Sequence, residues 1–217
     1  NKILILPNAV DTSKFVPQPA DRELKAALGL SDRSVVGFVG SVTNYEGLEY
    51  LIDATLELNT RGAKVSLLIV GDGNAAEKLK DYHKLRGNHP AVVFAGRVPF
   101  DDVPRYYSII DIMAFPRINA KVCHCVPPLK PLEAMAMGKP VIISDVAALC
   151  EIVQHEKTGL ICRANDTASL AEQLGRLVED TVLYSKISAT ALQWVKAERD
   201  WSTVSTRILQ VYEGLLV

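Results

Sequence analysis

The sequence predicts an α/β domain: a Rossmann-like parallel sheet with helices on both faces, followed by further helices at its C-terminal end. Three observations predict it. Short runs rich in Val and Ile alternate with helix-period patterns about six times along the chain. The runs are nearly continuous in apolar residues, as in "SLLIV" (66–70), which suits strands covered on both faces. No internal repeat, low-complexity tract or Gly/Ser linker divides the middle of the chain.

Each element has its own signal. "SVVGFVG" (34–40) reads as the first strand. In "YEGLEYLIDATLELNTRG", Leu48, Leu51, Ile52, Ala54, Leu56 and Leu58 recur at helical spacing. "KVSLLIVGDG" is a strand that runs into a glycine turn, and "AAEKLKDYHKLRG" is a helix that stops at Gly87. "AVVFAG" is a strand, "VPRYYSII" a short helix and "DIMAFP" (111–116) a strand. An irregular stretch leads to a helix over about 131–137, with Gly138 past its end. "KPVIISD" is a strand, "AALCEIVQ" a helix and "TGLICR" a strand. Asp166 or Thr167 can cap the helix in "DTASLAEQLGRLVED". Helices over about 183–199 and 203–216 follow, with Trp194 and Trp201 expected to anchor them. Cys150 falls on an amphipathic pattern and is expected in the core. The opening "NKILILPNAVD" lacks Met and starts inside what reads as a strand, so a piece of a longer polypeptide is expected.

Composition narrows the class. The 217 residues are 48% hydrophobic and 23% charged, which is ordinary for a globular domain with a substantial core. The net charge of −1 supplies no basic field for nucleic acid or acidic lipid. Apolar runs such as "LLIV" (67–70) are far too short to span a bilayer, and no signal peptide is evident. The four cysteines, Cys123, Cys125, Cys150 and Cys162, do not form a small disulfide framework, so a reducing, cytoplasmic compartment is expected.

An open sheet of this type binds ligands beyond the carboxyl ends of its strands. The segments to weigh are therefore 40–47, 71–74, 96–98, 116–130 and 144–147. In "GFVGSVTNYEG", Gly37, Gly40 and Gly47 either bring backbone N–H groups to a phosphate or simply make a tight turn. In "IVGDG", Asp72 stands at a strand tip, where an ordinary β-turn is the plainer reading. "PRINAKVCHCVPPLK" carries Arg117, Lys121 and Lys130. With Pro131 able to open a helix, Arg117 and Lys130 beside that helix start make a diphosphate clamp. Glu133, third in that helix, either folds back to cap it or presents its carboxylate to sugar hydroxyls. His124 between Cys123 and Cys125 lacks the spacing of a zinc site, and no metal is assigned. His83, His89 and His155 are expected at the surface.

Taken in order, these segments resemble the C-terminal half of the retaining glycosyltransferases of family 4, which have the GT-B fold. The likeness runs through "ILPNAVDTSKF", "GFVGSVTNYEGLEYLIDA", "LLIVGDGNAAEKLK", "VVFAGRVPFDDVPRYYSIIDIMAFP" and "PLEAMAMGKPVIISDVAALCEIVQHEKTGLIC". It covers nearly the whole chain. It implies a linker from an absent N-terminal acceptor domain over 1–20, a donor-binding domain over 21–200 and a C-terminal helix over 201–217. It implies donor contacts at Gly40, Ser41, Arg97, Val98, Arg117, Lys130 and Glu133, with Arg97 and Val98 at the base and Glu133 at the ribose hydroxyls. Cys125, Val126, Pro127, Pro128 and Leu129 would face the donor sugar. The implied substrate is a UDP- or GDP-sugar with no cofactor. The implied acceptor is a glycan or a lipid-linked acceptor, with peripheral association of the parent enzyme at the inner membrane face. No single catalytic residue is assigned.

The chain also departs from that pattern. Ser41 and Glu46 stand where family members commonly place an Arg and a Lys that hold the donor phosphates. Cys125 stands in place of the first of two glutamates, of which Glu133 matches the second. A branch with "GS…YEGL" and "PR…PLKPLEAMA" is more similar, and there Arg117 and Lys130 offset the lost cations; His124 replaces a Glu often found in that branch. Two other readings compete. A Rossmann dehydrogenase needs G-x-G-x-x-G after the first strand, which "GSVTNYEG" lacks. A non-catalytic regulatory or assembly module draws some support from Ser41, Glu46 and Cys125.

Overall fold

The computed structural model describes residue 3 and residues 5–215. Its strands are β1 (Ser34–Val39), β2 (Val65–Val70), β3 (Val92–Gly96), β4 (Ile112–Phe115), β5 (Val141–Ser144) and β6 (Leu160–Cys162). They form one six-stranded sheet in the order β3-β2-β1-β4-β5-β6, and every pairing is parallel. β1 and β2 run in register from Ser34 opposite Val65 to Val39 opposite Val70. This is the Rossmann-like sheet the sequence predicts. The apolar runs are buried on both faces: Val35, Val36, Phe38, Leu67, Leu68, Met113, Ala114, Ile142 and Ile143 are all inaccessible to solvent.

The helices are α1 (Arg22–Ala27), α2 (Leu48–Thr60), α3 (Ala76–Leu85), α4 (Val103–Ile109), α5 (Lys121–Cys125), α6 (Lys130–Ala136), α7 (Ala147–Cys150), α8 (Thr167–Glu179), α9 (Thr181–Glu198) and α10 (Trp201–Leu215). α2 packs between α3 and α8, while α6 packs on α9 and on β4 and β5. Right-handed crossovers place these two groups on opposite faces of the sheet. The burial pattern follows the sequence period: α2 buries Leu48, Leu51, Ile52, Thr55 and Leu58. Asp166 caps α8 by accepting from Ser169 N–H at 2.8 Å. Gly47 opens α2 at φ 68°, and a Cβ there would meet the Pro116 carbonyl oxygen at 2.0 Å. Only glycine lets the loop after β4 lie against the loop after β1 at this point.

Several expectations are corrected. The described residues before Val10 form no strand, and Ile3 and Ile5 are each 84% exposed. A strand needs a partner edge, and this segment instead meets the rest of the molecule through single contacts, Asn8 with the Pro127 carbonyl and Val10 bridging Asp200. The stretch before Lys130 is not wholly irregular, because α5 lies in it and packs on α7. α7 itself spans only Ala147–Cys150, and Cys150 is exposed. The final helix was expected to end at Leu216, which lies outside the described residues. Trp194 packs against the core, but Trp201 is 52% exposed; α10 is held by buried Val204 instead. His83 is buried against Phe94 and shares a hydrogen bond with the His89 carbonyl. Among the described residues, no helix is long and apolar enough to cross a membrane.

Candidate functional site

β1 and β4 are neighbours whose following loops leave in opposite directions, which opens a crevice at their carboxyl ends. The two loops are tied together there. Ile118 N–H donates to the Tyr45 carbonyl at 3.0 Å, and the buried Cys123 thiol donates to the same oxygen at 3.7 Å. The loops after β2 and β3 join them: Val42 N–H donates to Asp72 O at 3.0 Å, and Gly71 N–H to Gly96 O at 2.8 Å. A cleft of about 450 Å³ lies between these loops, lined by Gly40, Ser41, Asp72, Gly73, Arg97 and Val98 among others. Four residues assigned to donor contact from sequence, Gly40, Ser41, Arg97 and Val98, thus share one cavity. Asp72 is used in its own turn, accepting from Gly73 N–H at 2.8 Å.

The cations converge beside Gly40 and Ser41. Lys130 Nζ donates to Glu46 Oε1 at 2.7 Å and lies 3.5 Å from the Ser41 carbonyl oxygen. Its ammonium also sits over the Phe38 ring, 4.5 Å from the centroid. Arg117 grips the same Glu46 carboxylate, through Nε at 3.4 Å and Nη2 at 3.3 Å, and donates from Nη1 to Val126 O at 2.9 Å. Glu46 is 2% exposed and Arg117 5%. The sequence marked both cations for phosphate, but the structure gives them different situations. Arg117 is enclosed by protein partners, while the Lys130 side chain keeps 17% of its surface exposed, beside Gly40 and Ser41 of the cleft lining. Burial pushes the Lys130 ammonium below its ordinary pKa, and Glu46 opposes that shift. Two cations against one carboxylate leave one positive charge in the cluster.

Glu133 sits in the first turn of α6 and points at α4, where its Oε2 accepts from the Tyr107 hydroxyl at 3.1 Å. Tyr107 is fully buried and packs edge-on against Phe15 at 6.1 Å. The other Glu133 oxygen has no protein partner among the described residues and is not sealed from solvent. Burial raises the Glu133 pKa, and the Tyr107 hydrogen bond and Lys130 pull it back.

In the segment assigned to the sugar, Cys125, Val126 and Leu129 are exposed, whereas Pro128 is buried in the protein. The Pro127 carbonyl accepts from Asn8 Nδ2 at 3.0 Å. His124 is engaged by protein: Nε2 pairs with Asn119 Oδ1 at 2.8 Å, and Nδ1 accepts from Ala147 N–H at 3.2 Å. Among the described residues, no cluster of three or more His, Cys, Asp or Glu is placed to hold a metal. Sequence reasoning missed Glu46 as the hub of the cations, and Tyr107 beneath Glu133. For Glu46 a signal was present, an acid placed where a cation was expected. Tyr107 gave none, because only the crossing of α4 under α6 brings it there.

Comparison with known proteins places the chain in a family. A profile of the family described as "Glycosyl transferases group 1" matches residues 33–180. The chain belongs to that family, and its architecture is the Rossmann-like half of the GT-B fold. It is 30% identical over 212 residues to a GDP-mannose-dependent alpha-(1-6)-phosphatidylinositol monomannoside mannosyltransferase of Mycobacterium tuberculosis, covering 96% of this chain and 55% of that protein. It is 26% identical over 193 residues to the alpha-D-kanosaminyltransferase of Streptomyces kanamyceticus, covering 89% and 49%. Among solved structures, Anabaena Alr3699/HepE in complex with UDP-glucose superposes with a TM-score of 0.84 at 24% identity, over 97% of this chain and 57% of that one. The C-terminal domain of a group 1 glycosyl transferase (LpcC) from Francisella tularensis superposes at 0.75 and 20% identity, over 88% and 99%. At these identities the superpositions establish the fold. The chain spans about half the length of the curated relatives it matches.

Proposed function

We propose that this chain is the donor-binding half of a retaining glycosyltransferase of family 4. The donor is a UDP- or GDP-sugar, and the acceptor is a glycan or lipid-linked acceptor bound by an N-terminal domain of the same polypeptide. The parent enzyme then works in the cytoplasm, against the inner membrane face where such an acceptor is lipid-linked. The observation that carries the reading is the placement of Lys130. The Lys130 ammonium lies against Gly40 and near the Ser41 carbonyl, two residues that line the cleft at the strand ends, and the Glu133 oxygen without a protein partner among the described residues is on the same helix. A donor diphosphate supplies the matching negative charge, and its ribose supplies hydroxyls for a carboxylate. Arg97 and Val98, across the cleft from Gly40 and Ser41, take the base. As the bond from the sugar to the diphosphate breaks, charge builds on the phosphate oxygens, and Lys130 stabilises it. The related mannosyltransferase named for GDP-mannose and the UDP-glucose complex of the Anabaena protein support a donor of this class.

Isothermal titration of the chain with UDP-, GDP- and ADP-sugars tests the reading. One of them is expected to bind, with Lys130→Met weakening it about tenfold or more. Absence of heat with all three would remove the assignment. A parent enzyme that binds donor yet neither transfers nor hydrolyses sugar would restore the non-catalytic alternative.

A further inference from the structure

Glu46 is the least expected group in this site, because a carboxylate beside a phosphate pocket repels its ligand. We propose that Glu46 is a positioning residue: it holds the Lys130 ammonium over Gly40 in the attitude that receives the donor diphosphate. The inference rests on the donor-binding reading above and gives a role to the Glu that the more similar branch carries in "YEGL", where the wider family commonly places a Lys.

The geometry supports a preset lysine. A free lysine side chain carries about 2 kcal/mol of rotamer entropy, which a ligand must overcome on binding. Here that freedom is already lost. The Lys130 stem lies across Gly40 so closely that a Cβ on Gly40 would come within 2.3 Å of Lys130 Cε. The Phe38 ring lies beneath the ammonium, and Glu46 Oε1 fixes it from the side at 2.7 Å. Glu46 itself has little room to move: it is 2% exposed, and Arg117 holds both of its oxygens. Arg117 is held in turn by the Val126 carbonyl at 2.9 Å, and its own carbonyl accepts from Ser144 Oγ at 2.7 Å. A chain of contacts thus runs from β5 through Arg117 and Glu46 to Lys130. Without Glu46, Arg117 and Lys130 would be two like charges facing each other in a poorly hydrated site, and the more flexible lysine would swing out towards water.

The test compares wild type, Glu46→Gln and Glu46→Asp by isothermal titration with UDP and GDP and with the matching nucleosides, uridine and guanosine. Glu46→Gln is expected to weaken diphosphate binding about tenfold and to leave nucleoside binding unchanged. Glu46→Asp, which keeps the charge, is expected to recover part of that loss. Side-chain NMR of Lys130 supplies a readout independent of any ligand: its ammonium should lose its proton at lower pH in Glu46→Gln than in wild type. If Glu46→Gln does not fold, Glu46→Asp alone must still weaken the diphosphate selectively. Wild-type binding with equal or tighter diphosphate affinity in Glu46→Gln or Glu46→Asp would overturn the positioning role while leaving the donor reading intact. Wild type that binds neither diphosphate would overturn both, and an unshifted Lys130 titration would overturn the proposed coupling directly.

Discussion

Glu133 is tied into the fold through Tyr107 and, in the proposed donor site, also meets the ligand. Its carboxylate is buried enough to raise its pKa above the ordinary 4.5, yet one oxygen has no protein partner among the described residues. The ionised form is the one that accepts two hydroxyl hydrogen bonds, so donor affinity is expected to fall as pH drops through that raised value. Glu133→Gln should abolish this step in a titration of affinity against pH. Tyr107→Phe should move its midpoint upward, because the lost hydrogen bond is one of the two influences that lower the pKa. The stability sign is opposite to that of a salt-bridged acid. With a raised folded value, the contribution of Glu133 is complete below 4.5 and is lost as pH rises through the folded pKa.

Among the elements, the loops were harder to read than the strands. The strands were legible because each writes a short apolar run, uninterrupted where β1, β2, β4 and β5 are buried on both faces and still apolar in the partly covered edge strand β3, and the long helices α2 and α8 wrote clear stripes. α5 was not, because "KVCHC" has poor helix formers and no capping side chain; its packing on α7 holds it. His83 could have been placed, since Ala76, Leu79 and His83 fall at helical spacing on the buried face of α3. The strand-end rule picked out the loops that meet at the candidate site, but the pairing of Glu46 with Arg117 joins residues 71 positions apart and leaves no local trace. The close approach of the two main loops depends on Gly47. Gly47→Ala is expected to cost on the order of 3 kcal/mol in denaturant unfolding, because φ 68° and the 2.0 Å encounter with Pro116 O oppose a side chain together.

For the whole molecule, the N-terminal segment and α10 are fastened to each other as well as to the domain. Val10 N–H donates to Arg199 O at 2.8 Å, and Trp201 N–H donates to Val10 O at 3.2 Å. Asp200 completes the fastening: it accepts from Ser202 N–H at 2.8 Å, which caps α10, and from Thr12 N–H at 3.1 Å. The Ser202 and Thr12 hydrogen bonds hold its pKa down at about 2. A depressed carboxylate stabilises above its ordinary 3.8 and loses that contribution as pH falls towards 2. Asp200→Asn is expected to lower stability at neutral pH by about 1 kcal/mol and to flatten the acid limb of the stability profile between those values, as thermal melts over pH would show. This arrangement also decides where tension goes. A pull on the segments at either side of Val10 and Asp200 meets that small clasp before it reaches any strand, so the clasp acts as a fuse. Opening it breaks two backbone hydrogen bonds and uncovers Val10 of the core, but none of the pairings between the six strands.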